Sequence, residues 1–179
     1  MFDLFRRRFA NAPGIPEMDA LDLLDELSVR IYEPPLASFR DDGRITDASN
    51  PLAVVMLLLD YETECSMNGV IGYLENASGQ HLSETINTVC GLGCTEHAKI
   101  LEKIQTTAAT GGMTYDELQK ADAVLAPFTV TSFADLHGDR WDDVCDAIEA
   151  LHDAVEWDAF WKAITAFVGK HKDSIQRQL

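Results

Sequence analysis

Apolar residues recur at steps of three and four along almost the whole chain, and this spacing restricts the fold more than any other feature. Between residues 17 and 32 the series includes Leu24, Leu27 and Ile31, which fall on one face of an amphipathic helix. The strict alternation that marks a half-buried strand is nowhere long enough to build a sheet. The sequence therefore predicts an all-α fold, with about eight helices in a single compact domain.

Proline, glycine and asparagine mark where several of these helices begin and end. Asn50-Pro51 has the pattern of an N-cap followed by proline in the first turn. Asn68-Gly69 is typical of a turn or a helix end. The spacing Thr114-x-x-Glu117 matches a capping box that opens a helix over 115–123. We therefore expect helix boundaries at all three places.

Further boundaries are expected in the second half of the chain. Helices are predicted over 80–92, 139–155 and 158–176, and Thr95 is expected to cap the helix that follows it. The stretch 127–138 is predicted to be an ordered loop, with enough alternation for a short extended piece.

The domain is expected to span 17–179, preceded by an N-terminal segment, 1–16, that is either mobile or packed on it. Arg6–Arg8 are not followed by the apolar stretch of a secretory signal. The longest apolar run, 52–59, is far shorter than the roughly 20 residues that span a bilayer. Four cysteines are too few for a disulfide scaffold in a chain of 179 residues. These observations predict a cytoplasmic protein.

The charge balance excludes some classes of partner. The chain has 14 Lys and Arg residues against 30 Asp and Glu residues, a formal net charge of −16. Nucleic acids and anionic membranes attract basic surfaces, so neither is an expected partner. A basic protein surface is the electrostatic complement of this chain.

Carboxylates follow one helical stripe in the C-terminal part of the chain. The stripe consists of Asp139, Asp142, Asp143, Asp146, Glu149 and Asp153. Neighbours three or four apart lie about 5–6 Å from one another on a helix surface, so the stripe can face the Lys and Arg side chains that a DNA-binding protein uses for phosphates. Its alternative role is to keep the protein soluble. A secondary acidic patch is predicted on the first helix, at Asp19, Asp22 and Glu26.

Two spacings could hold a metal, and both are incomplete. Glu149-x-x-His152 is half of a di-iron carboxylate motif, and the other half is absent. Cys90, Cys94 and His97 could share a helical face around zinc, but glycines interrupt that helix and no fourth ligand follows. The chain also lacks a phosphate-binding glycine loop. We therefore predict no metal, no cofactor and no enzymatic activity.

The stretch 64–79 (ECSMNGVIGYLENASG) resembles the signature of the DNA-mimic protein family. That signature has an acidic residue, Asn-Gly-Gly-Phe, an aromatic pair and Asn-x-x-Gly; the matching positions here are Asn68, Gly69, Tyr73, Asn76 and Gly79. Val70 and Ile71 depart from it. With its flanking helices the resemblance covers about 52–128. Asn68 and Gly69 are expected to adopt the left-handed backbone of a tight turn, so the motif is interpreted as structural.

The resemblance implies more than a fold. It implies an acidic, all-helical homodimer whose surface imitates duplex DNA and occupies the DNA-binding face of a helix-turn-helix transcription factor. The alternative is an immunity-type or adaptor-type protein that binds its partner through an apolar groove. That groove would be lined by Phe128, Phe133, Trp157, Phe160 and Trp161.

Overall fold

A computed structural model of the chain describes residues 18–34, 36–122, 132–138 and 140–179. Over these ranges all regular structure is helical and no strand is present, which confirms the predicted all-α class. The α-helices are α1 (Met18–Arg30), α2 (Ser38–Asp41), α3 (Pro51–Glu75), α4 (Leu82–Gly91), α5 (Thr95–Gly111), α6 (Tyr115–Asp122), α7 (Phe133–His137), α8 (Arg140–His152) and α9 (Trp157–Gln176). Short 3-10 helices occupy Arg44–Thr46 and Ala77–His81. The predicted segment 1–16 lies outside the described residues.

The predicted N-cap of the long helix is confirmed. α3 begins at Pro51, and the Asn50 Oδ1 atom accepts a hydrogen bond of 2.9 Å from the Leu52 backbone N–H. The Asn50 amide also pairs with the amide of Gln178: Asn50 Nδ2 donates over 2.9 Å, and Gln178 Nε2 donates back over 3.1 Å. The helix start is therefore tied to the end of the chain.

The predicted break at Asn68-Gly69 is confirmed as a kink inside α3. Gly69 has φ 72° and ψ 174°, and the helix resumes at Val70. The positive φ agrees with the prediction, but the ψ value lies outside the left-handed helical region that was expected. It belongs to a region that is open almost only to glycine. A Cβ atom at Gly69 would meet nothing within 4 Å, so the requirement for glycine comes from the backbone alone.

Two expected helix starts are corrected. The helix predicted from residue 80 begins at Leu82, because Ala77–His81 form a 3-10 turn. Thr95 is the first residue of α5, and Cys94 occupies the N-cap position without a side-chain capping hydrogen bond. A cysteine at the N-cap carries none of the usual capping signals, whereas the threonine beside it does, so the sequence pattern favours the wrong residue.

The capping box at Thr114 is confirmed in one half. The Glu117 Oε2 atom accepts from the Thr114 backbone N–H over 3.3 Å, and α6 follows at Tyr115. The Glu117 carboxylate also accepts from the Thr114 hydroxyl over 3.2 Å. The glutamate therefore provides the cap, and the threonine hydroxyl is turned towards it.

The loop predicted over 127–138 is wrong for its second half. Phe133–His137 form α7, opened by a complete capping box in which Ser132 and Asp135 each accept from the other's backbone N–H. Aspartate replaces the more usual glutamate or glutamine at this position, so the sequence pattern does not reveal the box. Residues 127–131 lie outside the described ranges.

The chain divides into two compact units. One contains the described residues up to Met56 together with Trp161–Leu179, and the other contains the described residues of Leu57–Phe160. The first unit buries Leu27, Ile31, Leu52, Ile164 and Val168. The second buries Tyr61, Tyr73, Leu101, Ile148 and Phe160. The single domain over 17–179 stays a prediction. In the portion that the structure covers, no helix has the length and apolar character to cross a membrane.

Candidate interaction surface

The acidic stripe lies on the solvent side of α8. Its described members are all exposed: Asp142, Asp143, Asp146, Glu149 and Asp153. Asp139 lies outside the described residues. Asp153 directly follows the last residue of the helix, so the described stripe covers the whole length of α8.

The other face of α8 is held in the second unit by apolar contacts. Ile148 is fully buried, and Val144 and Leu151 are partly buried. α8 packs against α5, and Gly111 permits a close approach there, because a Cβ atom at Gly111 would lie 3.0 Å from Val144 Cγ1. The apolar face therefore fixes which carboxylates point to solvent.

The negative charge of the stripe affects the pKa of the Cys145 thiol. Burial raises the pKa of this thiol, and the negative charges of Glu149, Asp146, Glu75 and Asp142 raise it further, to about 11. Glu75 lies at the end of α3, where its half-buried carboxylate also accepts a hydrogen bond of 2.8 Å from the Phe133 backbone N–H. A thiolate is penalised here because nearby carboxylates repel it.

The stripe has no neutralising partners within the described part of the chain. None of its five described carboxylates forms an ion pair with the cations there. Ion pairs elsewhere in the described residues include local ones, Arg30 with Glu26, Arg44 with Asp42, and Lys99 with Glu96, each at 2.7 Å. Like charges spaced three or four apart destabilise a helix, so the exposed stripe costs α8 some stability.

The secondary patch on α1 differs from the stripe because one of its carboxylates forms an ion pair. Asp22 is exposed, but Glu26 accepts a hydrogen bond of 2.7 Å from Arg30 one turn later. The side chain of Asp19 lies outside the described residues. Arg30 partly neutralises the Glu26 carboxylate within α1. The described carboxylates of the stripe have no such ion pair with the described cations.

The end of α8 meets a buried aromatic cluster. The hydroxyl of Tyr61, on α3, lies 2.9 Å from His97 Nε2 and 3.3 Å from His152 Nε2. His97 belongs to α5, and His152 is the last residue of α8. Trp157 stacks on the Tyr61 ring with centroids 5.7 Å apart, and Phe160 packs edge-on at 6.1 Å. One hydroxyl therefore joins three helices.

Burial keeps this cluster uncharged. It lowers the pKa of His97 to about 4, with a further contribution from the neighbouring His152. It also lowers the pKa of His152, against the opposing effect of Asp153. Burial raises the pKa of the Tyr61 hydroxyl well above its usual value. Both rings and the hydroxyl are neutral at pH 7, so they interact through hydrogen bonds rather than as ion pairs.

The motif at 64–79 assembles around the Glu64 carboxylate. Glu64 Oε2 accepts from Asn68 Nδ2 over 3.1 Å and from Asn76 Nδ2 over 2.5 Å. Gly79 lies against the Tyr73 and Leu74 carbonyl oxygens, at 2.7 and 2.6 Å from an added Cβ. Tyr73 itself is buried, and its hydroxyl lies 3.1 Å from Thr85 Oγ1. The motif holds the kinked end of α3 in place.

The incomplete metal spacings do not assemble. Cys90 is exposed, whereas His97 is buried and its Nε2 atom is bonded to Tyr61. His152 uses its own Nε2 atom on the same hydroxyl. Among the residues described, no three His, Cys, Asp or Glu side chains are grouped as a metal site requires.

The residues of the alternative apolar groove are mostly core. Phe133 and Phe160 are fully buried, and Trp161 is 5% exposed. Trp157 is half-buried within the Tyr61 cluster. Phe128 lies outside the described residues. The buried members cannot contact a partner without unfolding, so a groove built from them finds no support in the structure.

Three residues with a clear role are not identified by the sequence patterns. The sequence pattern places Tyr61 only within a buried helix, and it identifies Glu64 only as the first residue of the 64–79 signature. No sequence pattern singles out Glu75. Nothing in the sequence links Tyr61 to histidines 36 and 91 positions away. For Glu64, the spacing to Asn68 is a usable signal, because residues four apart on a helix can hydrogen-bond.

The comparisons with known proteins correct the family assignment. A family model described as DMP19-like protein matches residues 46–171, which is more than half of the chain. No curated protein and no solved structure matches. The assignment to a DNA-mimic family from the 64–79 signature is wrong, because the match is to this specific family and carries no link between that signature and DNA mimicry. The chain belongs to the DMP19-like protein family.

Proposed function

We propose that this member of the DMP19-like protein family is a non-enzymatic interaction protein. Its α8 surface binds the basic DNA-binding face of a protein partner such as a helix-turn-helix transcription factor. The observation that carries the proposal is the row of five exposed carboxylates along α8, without neutralising cations among the described residues. The proposal extends to the cytoplasmic location that the sequence predicts and, independently of the overturned family assignment, to a homodimer.

The chemistry of recognition follows from the groups presented. Arg and Lys side chains that bind phosphate oxygens also bind carboxylate oxygens, and arginine does so with two parallel hydrogen bonds. The carboxylates of Asp142, Asp146 and Glu149 all raise the pKa of Cys145, so a basic surface would meet a continuous row of negative charge along α8. Charge complementarity of this kind accelerates association and weakens with salt.

The buried ionisable groups support a role without catalysis. Burial raises the pKa values of the Cys65 and Cys94 thiols, and burial with nearby carboxylates raises that of Cys145. A nucleophilic cysteine needs the opposite shift. Two of the histidines, His97 and His152, are hydrogen-bonded to the Tyr61 hydroxyl inside the second unit, and His137 Nε2 donates to the Gly112 carbonyl oxygen.

The test is capture of a partner at low salt, followed by elution with a salt gradient and competition with duplex DNA. The proposal expects a DNA-binding protein that elutes by about 0.3–0.5 M salt, since exposed charge pairs are screened there, and that DNA displaces. The key variant combines Asp142→Asn, Asp146→Asn and Glu149→Gln, and should abolish binding. A matched variant removes three exposed carboxylates elsewhere, with Glu102→Gln, Asp116→Asn and Asp173→Asn, and should bind nearly as wild type.

The outcomes separate the two candidate functions. If both triple variants weaken binding equally, the interaction depends on net charge and not on the α8 surface. If the captured partner stays bound at 0.5 M salt and DNA does not displace it, the acidic surface serves solubility. That result favours the adaptor-type alternative. Sedimentation of the free protein at the same salt concentrations tests the homodimer.

A further inference from the structure

Asn68 is the only one of the chain's five asparagines that precedes a glycine. The backbone nitrogen of a glycine in this position can attack the asparagine carboxamide, because no Cβ obstructs the approach and glycine reaches backbone angles closed to other residues. Asn68 and Gly69 are both exposed, and a Cβ atom at Gly69 would meet nothing within 4 Å. The kink in α3 therefore holds a reactive pair of residues in contact with water.

The fold requires both residues of this pair. Gly69 is required by its backbone angles, φ 72° and ψ 174°. Asn68 donates from Nδ2 to Glu64 Oε2 over 3.1 Å. After the kink the chain passes close to Asn68, because a Cβ atom added at Gly72 would collide with the Asn68 Cβ atom. Replacing either residue of the pair would therefore cost the kink a contact or its backbone geometry.

The hydrogen bond to Glu64 sets the direction of the Asn68 carboxamide. Glu64 lies one helical turn before Asn68 in α3, whereas the attacking nitrogen belongs to the residue that follows. Side chains of a helix lean towards its N-terminus, and the bond to Glu64 fixes the carboxamide in that direction. The Asn68 Cγ atom reaches the Gly69 nitrogen only after the carboxamide has turned away from Glu64.

We propose that Asn68 is a modification site, where the chain converts asparagine to aspartate and isoaspartate at a rate set by the Glu64 carboxylate. The Gly69 nitrogen gives up its proton and forms a bond to Asn68 Cγ. The Cγ–Nδ2 bond breaks, and the side-chain nitrogen leaves with that proton as ammonia. Water then opens the succinimide ring at either of its two carbonyl carbons, which gives aspartate or isoaspartate. The proposal does not depend on the proposed function of the α8 surface.

The products change the contact before the kink. An aspartate at position 68 places a second carboxylate beside Glu64, so repulsion replaces the hydrogen bond. Isoaspartate also lengthens the main chain between positions 68 and 69 by one carbon atom. Asn76 keeps its own bond to Glu64 across the kink. The modification therefore loosens one of the two contacts that Glu64 makes with asparagine.

The test follows the peptide that contains residues 64–79 by mass spectrometry, while the full-length protein is kept folded in buffer at neutral pH. We expect the mass increase of an amide-to-acid conversion at Asn68, with isoaspartate among the products. Direct hydrolysis of the carboxamide by water would give aspartate only. Asn76 precedes alanine and is the internal reference, which should stay unconverted. The unfolded chain in guanidinium chloride should convert faster, because no bond to Glu64 forms there.

Three variants test the role of Glu64. Glu64→Ala frees the carboxamide, so Asn68 should convert about three- to tenfold faster, the effect of one hydrogen bond on the population of the free group. Asn76→Ala breaks only the bond across the kink and should leave the rate unchanged. Glu62→Ala removes a neighbouring carboxylate that is bonded to Ser66, and it should also leave the rate unchanged.

A fourth variant, Asn68→Asp, reproduces one of the products. Its control is Asn68→Ala, which removes the bond to Glu64 without adding a charge. Amides of residues 70–75 should exchange roughly twofold faster in Asn68→Asp than in Asn68→Ala, because like charges four residues apart destabilise a helix. The difference should shrink at high salt, where the repulsion is screened.

Several results would overturn the proposal. Asn68 could stay intact in the folded protein during the time in which the unfolded chain converts completely, or Asn76 could convert at the same rate. Aspartate without isoaspartate would exclude attack by the Gly69 nitrogen. An unchanged rate in Glu64→Ala, or equal acceleration by Glu64→Ala and Asn76→Ala, would show that Glu64 does not act directly on the carboxamide. None of these measurements uses a partner, so failure of the proposed function leaves them interpretable.

Discussion

Asn76 donates a hydrogen bond of 2.5 Å to the Glu64 carboxylate, twelve residues earlier and on the other side of the kink at Gly69. The same carboxylate accepts from Asn68 over 3.1 Å. One carboxylate therefore joins the helix before the kink to the residue that follows the helix after it. This pairing gives the acid and the two asparagines of the motif a common role: they hold the kinked end of α3.

The kink itself should require glycine. Gly69→Ala is expected to lower the free energy of unfolding by about 1–3 kcal/mol, because φ 72° with ψ 174° is a conformation that alanine rarely adopts. Gly91→Ala is the control: it ends α4 with ordinary backbone angles and open space around it, so the substitution should be neutral or stabilising by up to about 1 kcal/mol. Urea denaturation of both variants measures the difference, and equal effects would contradict the backbone argument.

The Glu64–Asn76 contact should appear as an energetic coupling. Glu64→Ala, Asn76→Ala and the double variant form a cycle, and we expect a coupling of about 0.5–1.5 kcal/mol, the usual net value of one such hydrogen bond. A control cycle on Glu62 and Ser66, which are bonded over 2.8 Å within one helix, tests whether the coupling is specific to the kink. Coupling near zero at Glu64–Asn76 would mean that water replaces the bond without loss.

Several helix boundaries can be predicted from the sequence because the residues that set them act locally. The contacts between helices at the candidate site cannot be predicted in this way. Asn50 and Gly69 act within a turn of their own positions, so their roles can be predicted from the neighbouring sequence. α7 was missed because its capping box uses an aspartate, Asp135. The meeting of Tyr61 with two histidines depends on the packing of three helices, and no local pattern encodes it.

The stability of the fold should fall on acidification, partly through His97. Its pKa is about 4 in the folded chain against an ordinary 6.5, so the unfolded chain takes up the proton first. The stability is fully present above pH 6.5 and is lost as the pH falls towards 4. Between pH 7 and pH 5 the loss from this residue is about 2 kcal/mol. Urea unfolding of wild type and His97→Phe at both pH values measures it.

His97→Phe should remove that part of the pH dependence while the hydrogen bond between Tyr61 and His152 is kept. The carboxylates of the chain titrate in both proteins, so their contributions largely cancel in the comparison. A variant whose stability falls between pH 7 and 5 as steeply as that of wild type would show that His97 is not held neutral by burial.

The field of the acidic surface should be measurable at Cys145. With its pKa raised to about 11 by burial and by nearby carboxylates, a protein that keeps only this cysteine should react with a thiol reagent at pH 8 roughly a hundredfold more slowly when folded than in urea. Asp146→Asn with Glu149→Gln should accelerate the folded reaction. If the rate does not change, burial alone protects the thiol, and the carboxylates contribute no appreciable field there.

Stability and binding should move in opposite directions at Asp146. This exposed side chain has like charges three or four residues away at Asp142, Asp143 and Glu149, and each such pair costs a helix a few tenths of a kcal/mol. Asp146→Asn should therefore stabilise the fold by about 1 kcal/mol at low salt, with less gain at high salt because screening already removes the repulsion. Asp142→Asn is the contrasting variant: Asp142 lies in the first turn of α8, where a carboxylate favours the helix, so this substitution should increase the stability of the fold little or not at all.

A stabilised Asp146→Asn protein that binds its partner more weakly would mean that the carboxylate serves binding at the expense of stability. If the variant is more stable and binds as tightly as wild type, the α8 surface is a solvated face and not a binding site.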